Sequence, residues 1–259
     1  MNILEKYTLI TGGSDGIGLE LAKLFAKYKS NLIIIARNKS KLEYIKSTLE
    51  KKYKIKVEII QEDLSKDKAC ERIINIVEEK NFIVDNLINN AGIGSFGFFS
   101  EAEDGFEEKL ININIVALTV LTKYFIRDMI KRGDGGILNV ASTAAFIGGP
   151  KMSMYYSSKA YVLSLTEALH DEVKSLGIRV SCLCPGPVKT SFQEKAGIKK
   201  AEKTKRYSME ASKVAEEAYL GFVKGKAIII PGYKNKLLVL GNKLIPRALS
   251  RKIILKSNS

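Results

Sequence analysis

Apolar positions along the chain cluster in blocks. Seven short runs rich in β-branched and other apolar residues recur at intervals: YTLIT (7–11), NLIIIA (31–36), KVEIIQ (56–61), VDNLIN (84–89), GILNVA (136–141), IRVSCL (178–183) and AIIIP (227–231). Most are continuous rather than alternating. That is the pattern of strands covered on both faces, and it predicts a parallel sheet with helices on each side. Segments with helical spacing lie between them, at 17–28, 39–52, 66–80, 103–132, 152–176 and 209–223. Strand and helix repeated in this order predict an α/β fold with a doubly wound, seven-stranded parallel sheet. Ligands of such sheets lie beyond the carboxyl ends of the strands, here at the loops after residues 11, 36, 61, 89, 141 and 183. Residues 1–231 read as one domain. Residues 232–259 read as a basic tail, either part of that domain or an extension toward a surface.

The stretch TGGSDGIG (11–18) joins the first strand to the first helix, and its Gly12, Gly16 and Gly18 have the spacing GxxxGxG. Glycine permits a tight turn and lets a phosphate approach the backbone. A helix starting near Gly16 offers unpaired N–H groups and a positive dipole end to a pyrophosphate. The spacing differs from GxGxxG, and a turn with no ligand stays open as an alternative. After the second strand, where an acidic residue would favour NAD, the chain has Arg37. An arginine fork there would hold the 2′-phosphate of NADP; the alternative is a surface arginine at a helix start. Asp15 brings no positive charge to the loop. Asp63 and Leu64 would frame an adenine, with Asp63 accepting from its amino group, or Asp63 would simply cap the next helix.

Residues 155–159 read YYSSK. Tyr155 and Lys159, spaced i, i+4, share a helix face about 6 Å apart along its axis. A free tyrosine, with a pKa of about 10, is a poor acid–base group at neutral pH, and a nearby ammonium lowers that value. A phenol so tuned can give a proton to a carbonyl oxygen or take one from an alcohol. Ser142, at the end of the fifth strand run, can donate to a substrate oxygen as charge develops on it, or can be a turn serine.

Together these residues resemble the short-chain dehydrogenase/reductase family, in its branch of about 250 residues, whose fold is Rossmann-type. The matching motifs, in the family's order, are TGGSDGIG (11–18), NNAG (89–92), Asn114 in NIVA, Ser142 in NVAS, YYSSK (155–159) and PGPVKT (185–190). The resemblance implies that Tyr155 is the acid–base residue and that Lys159 lowers its pKa and holds the nicotinamide ribose. It implies that Ser142 orients the substrate oxygen and Asn114 holds a water in a proton relay. The cofactor would be held by Gly12, Ser14, Asp15, Gly16, Ile17 and Gly18 of the loop, by Arg37 and Asp63, and by Asn90 beside the adenosine half. Pro185 and Gly186 would lie along the nicotinamide, with Val188 and Thr190 on its carboxamide. The expected activity is NADP(H)-dependent interconversion of a ketone or aldehyde and an alcohol, with NAD(H) the less favoured cofactor. A cofactor-binding sensor without turnover would have lost the Tyr155–Lys159 pair. A methyltransferase on a similar sheet would want an acid where Arg37 stands.

Composition trims the alternatives. The net charge of +14 raises nucleic acid as a partner, but the lysines are scattered along helices between apolar positions, the pattern of a solvated face, so no nucleic acid is expected. The sole histidine, His170, reads as a packing or surface residue, and no His/Cys cluster suggests a metal. Cys70, Cys182 and Cys184 contain no CxxC pair and suit a reducing cytoplasm, as does the lack of a signal peptide or long apolar span. Phe96, Phe98, Phe146, Met152 and Met154 would wall an apolar substrate cleft, or simply pack against the body or a partner subunit, and 191–207 reads as a mobile lid. A homodimer or homotetramer is common in the family. The tail carries Lys234, Lys236, Lys243, Arg247, Arg251, Lys252 and Lys256, no acidic residue, and apolar runs between them. It suits either a helix on an anionic membrane surface, interrupted by Pro246, or one packed on the body or a subunit interface.

Overall fold

The structure, a computed structural model, describes residues 5–198 and 208–258. Strands β1 (Lys6–Thr11), β2 (Asn31–Ala36), β3 (Val57–Gln61), β4 (Ile83–Asn89), β5 (Gly135–Val140) and β6 (Ile178–Leu183) form one sheet with an edge strand, Ile228–Ile229. Its order is β3-β2-β1-β4-β5-β6-edge, and every pairing is parallel. The winding therefore reverses between β1 and β4, the position where such sheets open a crevice.

Helices α1 (Gly16–Lys27) and α2 (Lys39–Tyr53) cover one face together with the helix Ala211–Val223. On the other lie α3 (Ala69–Glu79), α4 (Phe106–Ile111), α5 (Leu118–Arg132) and α6 (Ser153–Val173). The strand runs are unbroken because both faces are buried. In β2, Ile33 and Ile35 enter the core under α3 and α5, and Leu32 and Ile34 enter the one under α1 and α2. Each such side chain contributes roughly 1.5–3 kcal/mol by leaving water.

Several element boundaries differ from expectation, among them the helix expected at 209–223, which starts at Ala211 because Met209–Glu210 pairs as a strand. Helix α3 starts at Ala69 rather than 66, because Lys68 before it is left-handed at φ 56 and residues 64–67 form a turn. The helix expected at 103–132 starts at Phe106 and contains a π-helical turn, Asn112–Ala117. By length and hydropathy this helix would pass for a membrane span, but half of its apolar window is buried on the sheet. A short 3-10 turn, Lys174–Leu176, finishes the segment expected as helix to 176, and the edge strand pairs over two residues only. As expected, Pro246 interrupts the tail: Tyr233–Leu244 and Arg247–Ser257 are separate helices. Of the expected lid, 199–207 lies outside the described residues. Its start is the short helix Phe192–Lys195, which follows a small parallel ladder of Val188–Lys189 with Met209–Glu210.

Candidate active site

The carboxyl ends of β1 and β4 meet in register, Thr11 opposite Asn89. The Thr11 hydroxyl accepts from the amides of Asn90 and Ala91 at 3.0 and 3.1 Å. Asn90 Nδ2 donates back to the carbonyls of Thr11 and Gly12 at 3.1 and 3.0 Å. The glycine loop is thus strapped to the neighbouring strand. A Cβ on Gly12, at φ +64, would lie 2.9 Å from Ala91 Cα; one on Gly16, at φ +51, would lie 2.9 Å from Thr190 Cγ2. Asp15 caps α1 by accepting from Gly16 N at 2.8 Å, and the first turn of α1 contains no acidic side chain. At the end of β2, Arg37 is exposed, and among the described residues no hydrogen bond holds its guanidinium. A cradle that added Cβ atoms would fill, a helix N-terminus and a free arginine fork together fit a phosphate-rich dinucleotide.

Asp15 itself is fully engaged. Its Oδ2 accepts from Ser191 Oγ at 2.6 Å and lies 3.4 Å from Lys195 Nζ and 3.7 Å from Lys41 Nζ. The Ser191 hydrogen bond leads the interactions that hold this carboxyl below its usual range. Two ammonium groups thus offset the charge the loop brings. Asp63 does not cap α3. It caps a turn, accepting from Ser65 N at 3.0 Å and Ser65 Oγ at 2.8 Å. Partial burial pushes its carboxyl up, but Ser65, Arg37 and Lys109 outweigh that and leave it low.

Four expected residues converge above β4 and β5. Lys159 is buried at 5% exposure and donates from Nζ to the Val140 carbonyl at 2.8 Å, 5.8 Å from the centroid of the Tyr155 ring. Gly92 makes room: a Cβ there would lie 3.3 Å from Lys159 Nζ and 3.5 Å from Asn114 Oδ1. Asn114 sits in the π turn, a local widening that often marks functional sites. Its amide is fully occupied, accepting from Ile93 N at 2.9 Å and donating to Ile93 O at 2.9 Å and Ser158 Oγ at 3.0 Å. Ser158 Oγ in turn donates to Tyr155 O at 2.8 Å. Ser142 caps the turn Thr143–Phe146 by accepting from Ala144 N at 3.1 Å, so it is a turn serine as well as a neighbour of the phenol.

Removal from water dominates the electrostatics. It pushes the Tyr155 phenol up to about 12, with the Ser142 hydroxyl opposing, and pushes the Lys159 ammonium down to about 8. The expected lowering of the phenol by Lys159 is therefore not what the protein alone produces: burial raises it, and the hydrogen bond that opposes burial comes from Ser142. Phe192, whose ring centroid is 5.3 Å from that of Tyr155, covers the phenol from the segment after Thr190. Phe96, Phe98, Met152 and Met154 line one depression beside the site, with Lys151 Nζ 5.0 Å from the Phe98 centroid. Phe146 does not join them. It packs against the cluster of Leu118, Val162 and Cys182. His170 is a core residue, with Nδ1 2.7 Å from Val180 O.

Sequence reasoning missed Ser158, Ser191, Phe192 and Lys41. Ser158 lies inside YYSSK, where its i, i+3 relation to Tyr155 was a usable signal. The others reach the site from remote segments and had none.

A glycine cradle at the switch point and a Ser–Tyr–Lys cluster beside it define a dinucleotide-dependent oxidoreductase. The family description short chain dehydrogenase matches residues 6–201. The 3-oxoacyl-[acyl-carrier-protein] reductase FabG of Rickettsia typhi is 34% identical over 197 residues, covering 76% of this chain and 78% of the relative. The very-long-chain 3-oxoacyl-CoA reductase of Rattus norvegicus is 31% identical over 193 residues, covering 73% and 61%. A short-chain dehydrogenase from Sphingobium yanoikuyae, solved in complex with NADPH, superposes with a TM-score of 0.82 at 31% identity, covering 89% of each chain. The chain belongs to the short-chain dehydrogenase/reductase family and is an NAD(P)-dependent oxidoreductase acting on CH–OH groups.

Proposed function

We propose that the protein reduces a hydrophobic ketone or aldehyde, and oxidises the matching alcohol, with NADP(H) as cofactor and Tyr155 as the acid–base group. The observation that carries this is the convergence of Tyr155, Ser142, Lys159 and Asn114 at the carboxyl end of the sheet, beside the glycine cradle. The loop residues Gly12, Ser14, Gly16, Ile17 and Gly18 would hold the pyrophosphate, Arg37 the 2′-phosphate, and Asp63 and Asn90 the adenosine half. Lys159 and Tyr155 would hold the ribose, and Pro185, Gly186, Val188 and Thr190 the nicotinamide. When bound, the nicotinamide supplies or takes the hydride.

The protein's own part is the proton. Burial raises the phenol further above neutral pH, so it is held in the protonated form that donates to a carbonyl oxygen. Ser142 steadies that oxygen, and the Lys159 ammonium compensates the phenolate left behind. Both N–H groups of Asn114 are committed to protein partners, so its side chain would not donate to a relay water. Phe96, Phe98, Met152 and Met154 support a hydrophobic substrate, in a depression whose lining also includes Glu101, Glu107 and Lys151. The relatives' names make a long-chain 3-oxoacyl thioester the first compound to try. Exposed Ile111, Val116 and Val120 support a dimer or tetramer formed through α4 and α5, and three free buried thiols support a cytoplasmic setting.

The test is a panel of aldehydes, ketones and 3-oxoacyl thioesters followed by NADPH absorbance, with NADH in parallel. Fastest turnover is expected with NADPH and the longer acyl chains. Cofactor binding with no consumption across the panel would leave a sensor instead.

A further inference from the structure

The C-terminal helices turn apolar side chains outward. In Tyr233–Leu244 the residues Asn235, Val239 and Asn242, at i, i+4 and i+7, form the inward stripe. Val239 is buried, and a Cβ on Gly186 would lie 2.3 Å from Asn235 Oδ1. The helix rests on the turn Thr143–Phe146. The opposite stripe is Tyr233, Leu237, Leu240 and Leu244, at i, i+4, i+7 and i+11, and these are 68, 62, 57 and 81% exposed. Leu249 and Ile253, one turn apart in Arg247–Ser257, are each 51% exposed. A stripe of this regularity, turned away from a packed body, is not a by-product of folding.

Charge decides what covers it. Lys234 and Lys236 flank the stripe, and Arg247, Lys252 and Lys256 are exposed on the next helix. Residues 232–259 contain no acidic side chain. A second copy seated symmetrically on this face would bring the same cations against each other, in a chain already at +14. An anionic bilayer supplies both missing complements: an apolar layer for the leucines and phosphates for the lysines, whose aliphatic stems can follow the leucines down.

We propose that Tyr233–Ser257 docks the protein on an anionic lipid surface, with Tyr233, Leu237, Leu240 and Leu244 entering the headgroup–acyl boundary. The same helices reach the mouth of the site. Arg251 Cδ lies 3.3 Å from where a Cβ of Gly148 would be, and Asn258 Nδ2 donates to Pro150 O at 2.9 Å, both on the segment between Ser142 and α6. The proposal stands independently of the substrate and cofactor assigned above.

The test is flotation of the full-length protein with vesicles of equal parts phosphatidylglycerol and phosphatidylcholine, and with phosphatidylcholine alone, at low and high salt. Binding at least about tenfold stronger to the anionic vesicles, and lost in high salt, is expected. Leu237→Ser/Leu240→Ser/Leu244→Ser should abolish binding while keeping the wild-type Tm, and Lys236→Gln/Arg247→Gln/Lys252→Gln should weaken it on anionic vesicles only. Three results would overturn the proposal. One is equal binding to both vesicle types. Another is loss with the glutamine variant but not with the serine variant, which is mere adsorption of a cationic protein. The third is a serine variant that sediments as a smaller oligomer than wild type, which assigns the stripe to a second copy.

Discussion

Two regions of this molecule reverse the usual placement of side chains, in opposite senses. Around the Tyr155 cluster polar groups are sunk into the protein: Asn114 is 1% exposed and Lys159 5%. Along Tyr233–Leu244 apolar groups are lifted out of it, up to Leu244 at 81%. Neither arrangement serves the fold. A buried ammonium is costly unless partnered, and each exposed leucine forgoes roughly 1.5–3 kcal/mol that burial would have contributed. The difference lies in how the cost is met. The buried groups find partners within the chain: Ile93 and Ser158 for Asn114, the Val140 carbonyl for Lys159. Among the described residues nothing covers the exposed leucines, which points outside them.

If the buried cluster exists for proton transfer, removing one hydroxyl should be enough to silence it. Tyr155→Phe is expected to lower kcat/KM by about 10²–10⁴-fold while NADPH affinity, read by fluorescence, stays within a few-fold. A near-normal rate would make the phenol a packing residue and break the comparison at its first member. The next largest effect tests the rim of the cradle. Arg37→Ala is expected to weaken NADPH by about 10–100-fold, the value of a hydrogen bond to a charged group, and to leave NADH nearly untouched. Equal losses for the two cofactors would move the site toward NAD.

Much of this was legible before any coordinates. Strand β2 announced itself as Leu32–Ile35 because burial on both faces removes the need for polar positions. The shared helix face of Tyr155 and Lys159 followed from their i, i+4 spacing, and the family resemblance gave the pair its role. What was not legible depended on distance along the chain or on which face is covered. The resemblance gave Asn114 a water to hold, but not that Ile93 and Ser158, 21 and 44 residues away, take both of its amide N–H groups. Asp15 brought no positive charge to the loop, and nothing in the sequence showed that Ser191, 176 residues on, and two lysines answer its own charge. Phe146 was expected at the cleft but, as the last residue of the turn Thr143–Phe146, packs against the Leu118, Val162 and Cys182 cluster. The tail's composition was plain, but composition does not say which stripe a body will cover.

The smallest expected effect separates function from stability most cleanly. Burial holds the Lys159 ammonium at about 8 against an ordinary 10.5. Between those values the unfolded chain keeps a proton that the folded one has released, so stability rises with pH across the window and the penalty is complete below it. Lys159→Met should therefore stabilise the fold at neutral pH by about 1–3 kcal/mol after allowing for the orphaned Val140 carbonyl, a rise of a few degrees in Tm, while turnover is lost. The gain should shrink as the pH of the melt is raised from about 8 toward 10.5, and folded and unfolded lysine are both neutral only above that value. Thermal melts of the two proteins across that range decide it. A Met variant that melts lower at neutral pH would mean that the lysine is kept for its packing and its bond to Val140. A variant that melts higher and is inactive would mean that the chain tolerates a strained cation there for its chemistry alone.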